Sequence, residues 1–394
     1  MEVLKNIIVL SYYYEPDLCA GSFRTVALVE QLIKKIGDDV NVTVITTMPT
    51  RYSNYRVDAS QLEIKHRITI HRVALPSHKQ GIISQAICFV HFAWGACVIA
   101  KNIEACLVYA TSSRLMTAAL GATISQMKSA PLFLDIRDLF VDTLADLQPR
   151  WLFRPLLPIF GLVEKCTFLR STIVNIVSDG FRPYLKKKFP ALNLTVHTNG
   201  IDEQFLACSP PAKFSSQSEP IDVLYAGNIG DGQGLEKILP GLAKALGNSI
   251  SFRVIGGGSA RHKLERLIDI NGINNISLFP PVSRRQLMKE YERADILFLH
   301  LNHGRAFEKV LPSKIFEYGA LGKPILAGVN GYARAFIEQN LPCAQVFKPC
   351  DAQSAKVAFD KLSLVEWSNE EFRKRYRRTS IMSRLADEVL MVCK

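Results

Sequence analysis

A short segment in the last quarter of the chain concentrates residue types that bind phosphate and sugar hydroxyls. It contains Arg305, then Ser313 and Lys314 at the predicted start of a helix, then Glu317 one turn later. Free N–H groups and the helix dipole attract anions at such a start, and Lys314 and Arg305 add positive charge. The Glu317 carboxylate can accept hydrogen bonds from a vicinal diol such as a ribose. The segment predicts a site for a phosphate attached to a sugar; the alternative is a solvated amphipathic helix with Glu317 on its outer face.

A glycine-rich turn at 227–234 is a second candidate for phosphate binding. It contains Gly227, Asn228 and Gly230, and it lies between a predicted strand and a predicted helix. Backbone N–H groups of such a turn can approach a phosphate at the helix N-terminus. The turn lacks both the strict dinucleotide fingerprint and the Gly-Lys-Ser/Thr ending of a P-loop, so we do not expect NTP hydrolysis. A tight turn without a ligand is an equally open interpretation.

Strands and helices alternate along the chain in two series, separated by a polar stretch at 207–219. We predict strands in the first series at 6–11, 41–46, 107–110, 132–135 and 173–177. Those of the second series are predicted at 221–226, 251–255, 276–279, 296–299 and 324–327. Ser283 and Gln286 form a predicted capping box, and a helix is expected at 312–320. Alternating strands and helices of this kind predict an α/β fold of two doubly wound, Rossmann-like parallel-sheet domains.

These elements give the predicted domain boundaries. We assign 1–205 to an N-terminal domain and 220–371 to a C-terminal domain. A closing helix pair is expected in the last 25 residues, with the helix at about 372–394 able to pack back on the first domain. Ligands of doubly wound sheets bind beyond the carboxyl ends of the strands. We therefore expect the site in a cleft between the two domains.

The sequence at 312–324, Pro-Ser-Lys-Ile-Phe-Glu-Tyr-Gly-Ala-Leu-Gly-Lys-Pro, resembles the nucleotide-sugar motif of family 4 glycosyltransferases with the GT-B fold. The resemblance is greatest to transferases of bacterial surface polysaccharides (O-antigen and capsule), including N-acetylfucosaminyl transferases. Further matching pieces follow the family's order at 12–24, 134–139, 199–202, 224–230, 254–258 and 294–299. The resemblance implies two Rossmann-like domains facing a central cleft. It also implies retaining transfer of a sugar, favoured here as an N-acetylated hexose, from a nucleotide diphosphate sugar, favoured as a UDP-sugar.

The same resemblance implies roles for individual residues. Glu317 would bind the ribose, Ser313 and Lys314 would approach the diphosphate, and Gly21 would lie beneath the donor phosphate and sugar. The base would lie on glycine backbone. The implied donor-binding set is Gly21, Arg24, Gly227, Asn228, Gly230, Gly256, Gly257, Val282, Arg305, Ser313, Lys314 and Glu317. Members of the family generally need no metal, and we predict neither a metal nor another cofactor.

The chain departs from the family pattern in the residues expected around the donor. The family carries two glutamates separated by seven residues, and the first falls on Lys309, with Glu308 beside it. Many members place Arg and Lys where Asn228 and Gln233 stand here. The diphosphate would then be held by Arg305, Lys314, Arg24 and backbone donors.

A third departure lies after the strand that ends near residue 135. Arg137 and Asp138 stand where a His often contacts the sugar. We assign them to the sugar–acceptor region, and a structural ion pair is the alternative. The predicted catalytic residues are Arg137, Asp138, Lys314 and Glu308.

The composition and net charge of the chain indicate which kinds of molecule it binds. The chain has 394 residues and a net charge of +12, which favours an anionic partner. No nucleic-acid recognition motif accompanies that charge, so we do not predict a nucleic-acid partner. The nine cysteines are odd in number and include no C-x-x-C, which predicts reduced cytosolic thiols. His300 and His303 lack further ligands at metal spacing, so a metal site is not expected.

Two apolar segments raise the question of a membrane. Residues 82–100 carry no charge, and residues 150–160 interleave aromatic and aliphatic residues with arginines. For 82–100 we leave three interpretations open: a core helix, an interfacial helix and a membrane span. Together with the resemblance, the segments favour a membrane-borne glycan or lipid-linked acceptor. We expect a cytoplasmic protein, peripheral on the inner face of a bacterial inner membrane and attracted to its anionic surface.

Two other functions remain open. Lys309, Asn228 and Gln233 permit an inactive, transferase-like subunit that binds a nucleotide without turnover. A nucleotide-sugar 2-epimerase also uses two such domains, although the order of motifs matches the transferases better.

Overall fold

The chain folds into two compact units. The structure, a computed structural model, describes residues 5–49, 58–76, 82–112, 115–146, 154–207, 220–365 and 367–393. Unit 1 comprises Met1–Asn199 together with Arg378–Lys394, and unit 2 comprises Gly200–Arg377.

Unit 1 is built on an eight-stranded sheet. Its strands are β1 (Lys5–Leu10), β2 (Val40–Thr47), β3 (Leu62–Lys65), β4 (Ile68–Val73), β5 (Ala105–Ser112), β6 (Leu132–Ile136), β7 (Ile173–Ile176) and β8 (Leu194–Val196). Their order is β3-β4-β2-β1-β5-β6-β7-β8, and all neighbours are parallel except β3 and β4. The apolar run of β1 is buried on both faces, as central parallel strands require.

Helices cover both faces of this sheet. They are α1 (Ala20–Ile33), α2 (Ile82–Lys101), α3 (Leu115–Met127), α4 (Phe140–Asp146), α5 (Leu157–Arg170), α6 (Arg182–Lys188) and α15 (Arg378–Val392). A 3₁₀ turn, Arg154–Leu156, precedes α5. On one face α1 packs against α15. Right-handed crossovers place α2, α3 and α5 on the other face, where α3 contacts both of its neighbours.

Unit 2 contains a six-stranded sheet that is parallel throughout. Its strands are β9 (Ile221–Ala226), β10 (Ile250–Ile255), β11 (Ile276–Phe279), β12 (Ile296–His300), β13 (Ile325–Gly328) and β14 (Ala344–Phe347), in the order β11-β10-β9-β12-β13-β14. The helices are α7 (Glu203–Leu206), α8 (Leu235–Leu246), α9 (Arg261–Ile270), α10 (Arg284–Arg293), α11 (Lys314–Leu321), α12 (Gly331–Asn340), α13 (Ala352–Asp360) and α14 (Glu370–Arg375). All six strands point their carboxyl ends to the same edge, where the candidate residues of this unit lie.

The predicted α/β class is confirmed, and β9 and β11 begin and end at the predicted residues. The capping box of Ser283 and Gln286 is present at the start of α10. The helix predicted at 312–320 begins two residues later, at Lys314, with Ser313 as its N-cap. Four strands, β3, β4, β8 and β14, were not predicted from the sequence. β3, β8 and β14 are short edge strands, whereas β4 has six residues and lies inside the sheet.

The prediction that all cysteines are reduced is wrong for one pair. Cys106, in β5, forms a disulfide with Cys393, which follows α15. The two residues are 287 positions apart and meet because the last helix of the chain returns to unit 1. Sequence spacing carries no sign of this return.

Helix α2 packs on the sheet through one face, on which three of the four buried residues are small. Its buried residues recur every fourth position at Cys88, Phe92, Ala96 and Ala100, and a Cβ on Gly95 would press against the side chain of Val73. Among the described helices, only α2 has the length and composition of a membrane span, over Ser84–Lys101. One face of the helix contacts β2 and β4, an arrangement that favours the core and interfacial interpretations of this segment.

Candidate functional site

Two glycine-rich loops of unit 2 stack on each other at the ends of β9 and β10. Gly256 has a positive φ, and a Cβ there would collide with the carbonyl oxygen of Gly227. The N–H of Ile229 donates to the carbonyl of Gly257 at 2.8 Å, which ties the second loop to the first. Only glycine permits backbones to approach this closely. The loops leave an open backbone surface beside Gly257 and Pro281, with Val282 half-buried next to it.

Lys314 reaches the first of these loops from the start of α11. Its ammonium lies against Gly227, where any Cβ would strike Nζ, and it sits 5.6 Å from the ring centroid of Tyr225. Loss of solvent around the ammonium lowers the pKa of Lys314, an effect that Glu317 partly opposes. Among the described residues, no hydrogen bond or ion pair satisfies this ammonium. A positive charge is therefore held, unpaired, at a helix N-terminus.

Glu317 lies one helical turn beyond Lys314 and is half-buried. Its Oε2 accepts a hydrogen bond from the hydroxyl of Tyr291 at 3.3 Å. Tyr291 is fully buried and packs edge-on against Tyr318, so its hydroxyl is a fixed donor. Sequence analysis missed this tyrosine, because nothing in the spacing shows that α10 packs beside α11.

The glycine-rich turn after β9 is held by its own side chains. The Asn228 amide donates to Gln233 Oε1 at 2.9 Å, and the N–H of Gly230 donates to the same oxygen at 3.2 Å. The N–H of Gly227 donates to the carbonyl of Ile255. The expectation that Gly227 and Gly230 offer free N–H groups to phosphate is thus wrong in this structure. These two glycines provide close approach, and Asn228 shapes the turn.

His300 fixes the same turn from behind. Its Nε2 accepts a hydrogen bond from the N–H of Cys350 at 2.9 Å, so Nδ1 carries the ring proton and donates to the carbonyl of Gln233 at 2.6 Å. Burial lowers the pKa of His300 to about 4. Since both ring nitrogens are engaged, His300 is not a metal ligand, and the described residues contain no cluster that could hold a metal ion.

A pH-dependent loss of stability is expected from His300. Its folded pKa of about 4 lies below the ordinary value of about 6.5. Between these values the unfolded chain binds a proton that the folded chain does not, so stability is complete above about pH 6.5 and falls as the pH decreases towards 4. The loss attributable to this group approaches about 3 kcal/mol. Urea unfolding at a series of pH values measures it.

His300→Gln should flatten that pH dependence in the same window. His262→Gln is the matched control, because His262 is almost fully exposed. Equal slopes for the wild type and His300→Gln would contradict the assignment.

The segment before α11 carries the remaining predicted residues of unit 2. Arg305 is exposed, and its carbonyl accepts a hydrogen bond from Lys309 Nζ at 3.0 Å. The Glu308 carboxylate accepts from the Asn330 amide at 3.3 Å, which fixes it to the start of α12. Ser313 is half-buried, and its hydroxyl makes no capping bond within α11.

The expectation that Arg24 helps to hold the donor phosphate is wrong. Arg24 is 1% exposed and forms two hydrogen bonds with Asp135, from Nε at 2.8 Å and from Nη2 at 3.0 Å. Its Nη1 and Nη2 also donate to the carbonyls of Thr198 and His197. Burial alone would raise the pKa of Asp135, but the adjacent guanidinium holds it below its usual value. Arg24 is therefore a structural residue of unit 1.

Gly21 and Arg137 do lie together in unit 1. A Cβ on Gly21 would collide with Nη1 of Arg137, so the guanidinium rests on the first turn of α1. The Nε of Arg137 is buried without a hydrogen-bond partner in the described part of the chain. Asp138 is exposed and forms no ion pair with Arg137 among the described residues, which removes the alternative of a structural pair.

Comparison with known proteins finds a family model and a relative with similar sequences. Residues 211–380 match the family model "Glycosyl transferases group 1". A putative colanic acid biosynthesis glycosyl transferase, WcaI, of Escherichia coli is 31% identical over 110 residues, which span 28% of this chain and about a quarter (27%) of that relative.

Solved structures match over nearly the whole chain. Sucrose-phosphate synthase from Thermosynechococcus elongatus has a TM-score of 0.76 at 15% identity, covering 98% of this chain and 99% of that one. Anabaena HepE in complex with UDP-glucose has a TM-score of 0.60 at 14% identity, covering 98% and 96%. The chain therefore has the GT-B fold, and residues 211–380, most of which lie in its second unit, are similar to the group 1 glycosyl transferases.

Proposed function

We propose that the chain is a retaining glycosyltransferase of surface polysaccharide synthesis. It moves a sugar, favoured as an N-acetylated hexose, from a UDP-sugar to a membrane-borne glycan or lipid-linked acceptor. The observation that carries the proposal is the unpaired Lys314 ammonium beside the Gly227 backbone, with the tyrosine-held Glu317 one turn away. The match of unit 2 to group 1 transferases supports the donor class.

In this proposal the diphosphate lies at the start of α11. Bond breaking at the anomeric carbon develops negative charge on the departing diphosphate oxygen. The Lys314 ammonium, the helix N-terminus and the exposed Arg305 stabilise that charge. An anion entering this site also restores to Lys314 the favourable surroundings that burial has removed.

The nucleoside occupies the remainder of the unit 2 site. Glu317 accepts hydrogen bonds from the ribose hydroxyls, and the Tyr291 hydroxyl fixes the carboxylate orientation. The base lies on the backbone of Gly256 and Gly257 beside Val282, where side chains are absent or half-buried.

In this proposal the predicted catalytic residues Arg137, Asp138 and Glu308 contact the donor sugar and the acceptor. The guanidinium of Arg137 lies against Gly21 and therefore places a positive charge at the N-terminus of α1. We assign neither Asp138 nor Glu308 as a nucleophile, and front-face attack by the acceptor hydroxyl is the proposed route. The reaction as proposed uses no metal or other cofactor.

Glu317→Gln is expected to reduce kcat/KM for the donor by about a hundredfold or more, because hydrogen bonds from two hydroxyls to a charged group are lost. Gln keeps an acceptor for Tyr291, so the fold is retained. The assay follows transfer of labelled sugar from UDP-sugars to membrane lipid extracts. NMR of the product should show the anomeric configuration of the donor.

Glu338→Gln is the matched control, because that carboxylate is exposed and pairs with Arg334 within α12. Equal losses in both variants would contradict the role given to Glu317. A trapped glycosyl-enzyme ester would contradict front-face attack. A new nucleotide sugar formed without acceptor would identify an epimerase instead.

An inactive nucleotide-binding subunit is the second candidate. It is favoured by Lys309, which occupies the position of a family glutamate and donates its ammonium hydrogen bond to the Arg305 carbonyl. Tight nucleotide binding with no turnover towards any acceptor would identify this function.

A further inference from the structure

One face of helix α2 presents large apolar side chains to solvent. Trp94 is 72% exposed and Val90 is 65% exposed, and Ile87 and Val98 continue the same stripe. Spacings of three and four residues place all four on one side of the helix, opposite the side that rests on the sheet. The four side chains therefore form one apolar stripe along α2 rather than separate exposed residues.

A second stripe runs along α5 and the turn before it. Leu162 and Leu169 are 62% and 66% exposed, and Leu156 and Ile159 extend the stripe towards the N-terminal end. Helix α3 lies between α2 and α5 on the same face of the sheet. Its Gly121 sits directly on Ala110 of β5, so α3 packs close to the sheet between the two stripes.

We name the exposed residues of α2, α3 and 156–169 the apolar layer. It holds nine of the sixteen large hydrophobic side chains that are exposed in the described part of the chain. Monomeric soluble proteins rarely concentrate so many exposed apolar side chains in one region without a partner.

The exposed charged residues on α2, α3 and α5 are all basic. Glu164 is the only acidic residue of α2, α3 and α5, and it is buried and paired with Lys188. Lys101 ends α2, and Lys128 follows α3 and donates to the Lys101 carbonyl at 3.1 Å. Lys165 is exposed on α5 between Leu162 and Leu169. Apolar ridges bordered by lysines complement the headgroups and acyl chains of an anionic bilayer.

We propose that the apolar layer is a membrane-binding face, with α2 and α5 lying in the plane of an anionic lipid surface. A symmetric contact between two copies through this layer would instead bring lysines against lysines. The proposal rests on unit 1 alone and does not depend on the nucleotide site of unit 2.

Vesicle sedimentation of the full chain tests the proposal. The probes are phosphatidylcholine vesicles with and without about a third phosphatidylglycerol, at low and high salt. Two double variants, Val90→Ser with Trp94→Ser and Ile159→Ser with Leu162→Ser, each replace two of the nine exposed apolar side chains of the layer. Ile270→Ser is the matched control, since Ile270 is equally exposed on α9 of unit 2.

We expect wild type and Ile270→Ser to bind the anionic vesicles and to be weakened by salt. Each double variant should lose roughly tenfold or more in vesicle affinity. Brominated lipids should quench the fluorescence of wild type more than that of Trp94→Phe, which places Trp94 at acyl depth. This second measurement does not rely on the serine variants folding.

Three results would overturn the proposal. The first is vesicle binding that both double variants retain, and the second is equal quenching in wild type and Trp94→Phe. The third is a lipid-free dimer that Val90→Ser with Trp94→Ser dissociates, since a second copy would then occupy the layer. None of these results bears on nucleotide binding, which is measured without lipid.

Discussion

Lys314→Met should leave a more stable protein that no longer binds nucleotide diphosphates. The ammonium is partly withdrawn from solvent, and no described residue forms a hydrogen bond or ion pair with it. Its removal relieves the unfavourable burial of a charge, so the free energy of unfolding should rise. The methionine chain preserves most of the packing against Tyr225.

The same substitution removes the principal cation for the diphosphate. A charge-assisted hydrogen bond to a buried anion contributes roughly 1.5–3 kcal/mol, so we expect a loss in affinity of about tenfold to more than a hundredfold. Isothermal titration with UDP measures the loss of affinity, and urea unfolding measures the gain in stability. Both use the same protein sample.

Lys289→Met is the matched control, because Lys289 is exposed on α10. It should change neither nucleotide affinity nor stability appreciably. Unaltered UDP affinity in a folded Lys314→Met protein would contradict the position given to the diphosphate.

Arg24→Met should destabilise unit 1 by about 3–5 kcal/mol, the usual effect of removing one partner of a buried ion pair. The substitution leaves the Asp135 carboxylate buried, with Asn175 still donating to it. It also removes the Arg24 hydrogen bonds to the backbone carbonyls of His197 and Thr198, of which only that of His197 keeps a donor, Asn175. Denaturant unfolding, with the midpoint followed by circular dichroism, measures the loss.

Arg24→Met combined with Asp135→Leu is the informative control. Replacing both charges by apolar side chains should recover a large part of the loss, because no unpaired charge stays buried. UDP affinity of the folded protein should be unchanged in both variants. A stable Arg24→Met protein with impaired UDP binding would instead restore the phosphate-binding role that the sequence suggested.

Arg24 is an example of a residue whose role could not be predicted from the sequence. Its type and its place near a helix start suit a phosphate ligand, but its partner Asp135 lies 111 residues away. A buried ion pair across such a distance leaves no local pattern. Cys106 and Cys393 were misassigned for the same reason.

Local signals, by contrast, predicted elements closely. The strand at 221–226 is a mostly apolar run ended by Gly227, and its predicted limits are those of β9. Ser283 and Gln286 predicted the start of α10 through a bond between neighbouring residues. The short edge strand β14 lacks such a run, and β3 alternates polar and apolar residues over only four positions.

The glycine-rich turn at 227–234 shows a third situation, in which the contacts in the structure differ from the chemistry that the sequence predicted for two residues. Gly227 and Gly230 do lie at the candidate site, yet their N–H groups are engaged by Ile255 and Gln233. Their role is to admit Lys314 and the second glycine loop at close range. Only the three-dimensional structure distinguishes a glycine whose N–H can bind a ligand from one that is needed because a side chain would not fit.

We propose that unit 2 binds a nucleotide diphosphate at the start of α11. Isothermal titration of the full chain with UDP, GDP and CMP tests it most directly. We predict one binding site per chain, with UDP bound more tightly than GDP or CMP. A well-folded protein that binds none of the three nucleotides would contradict the account.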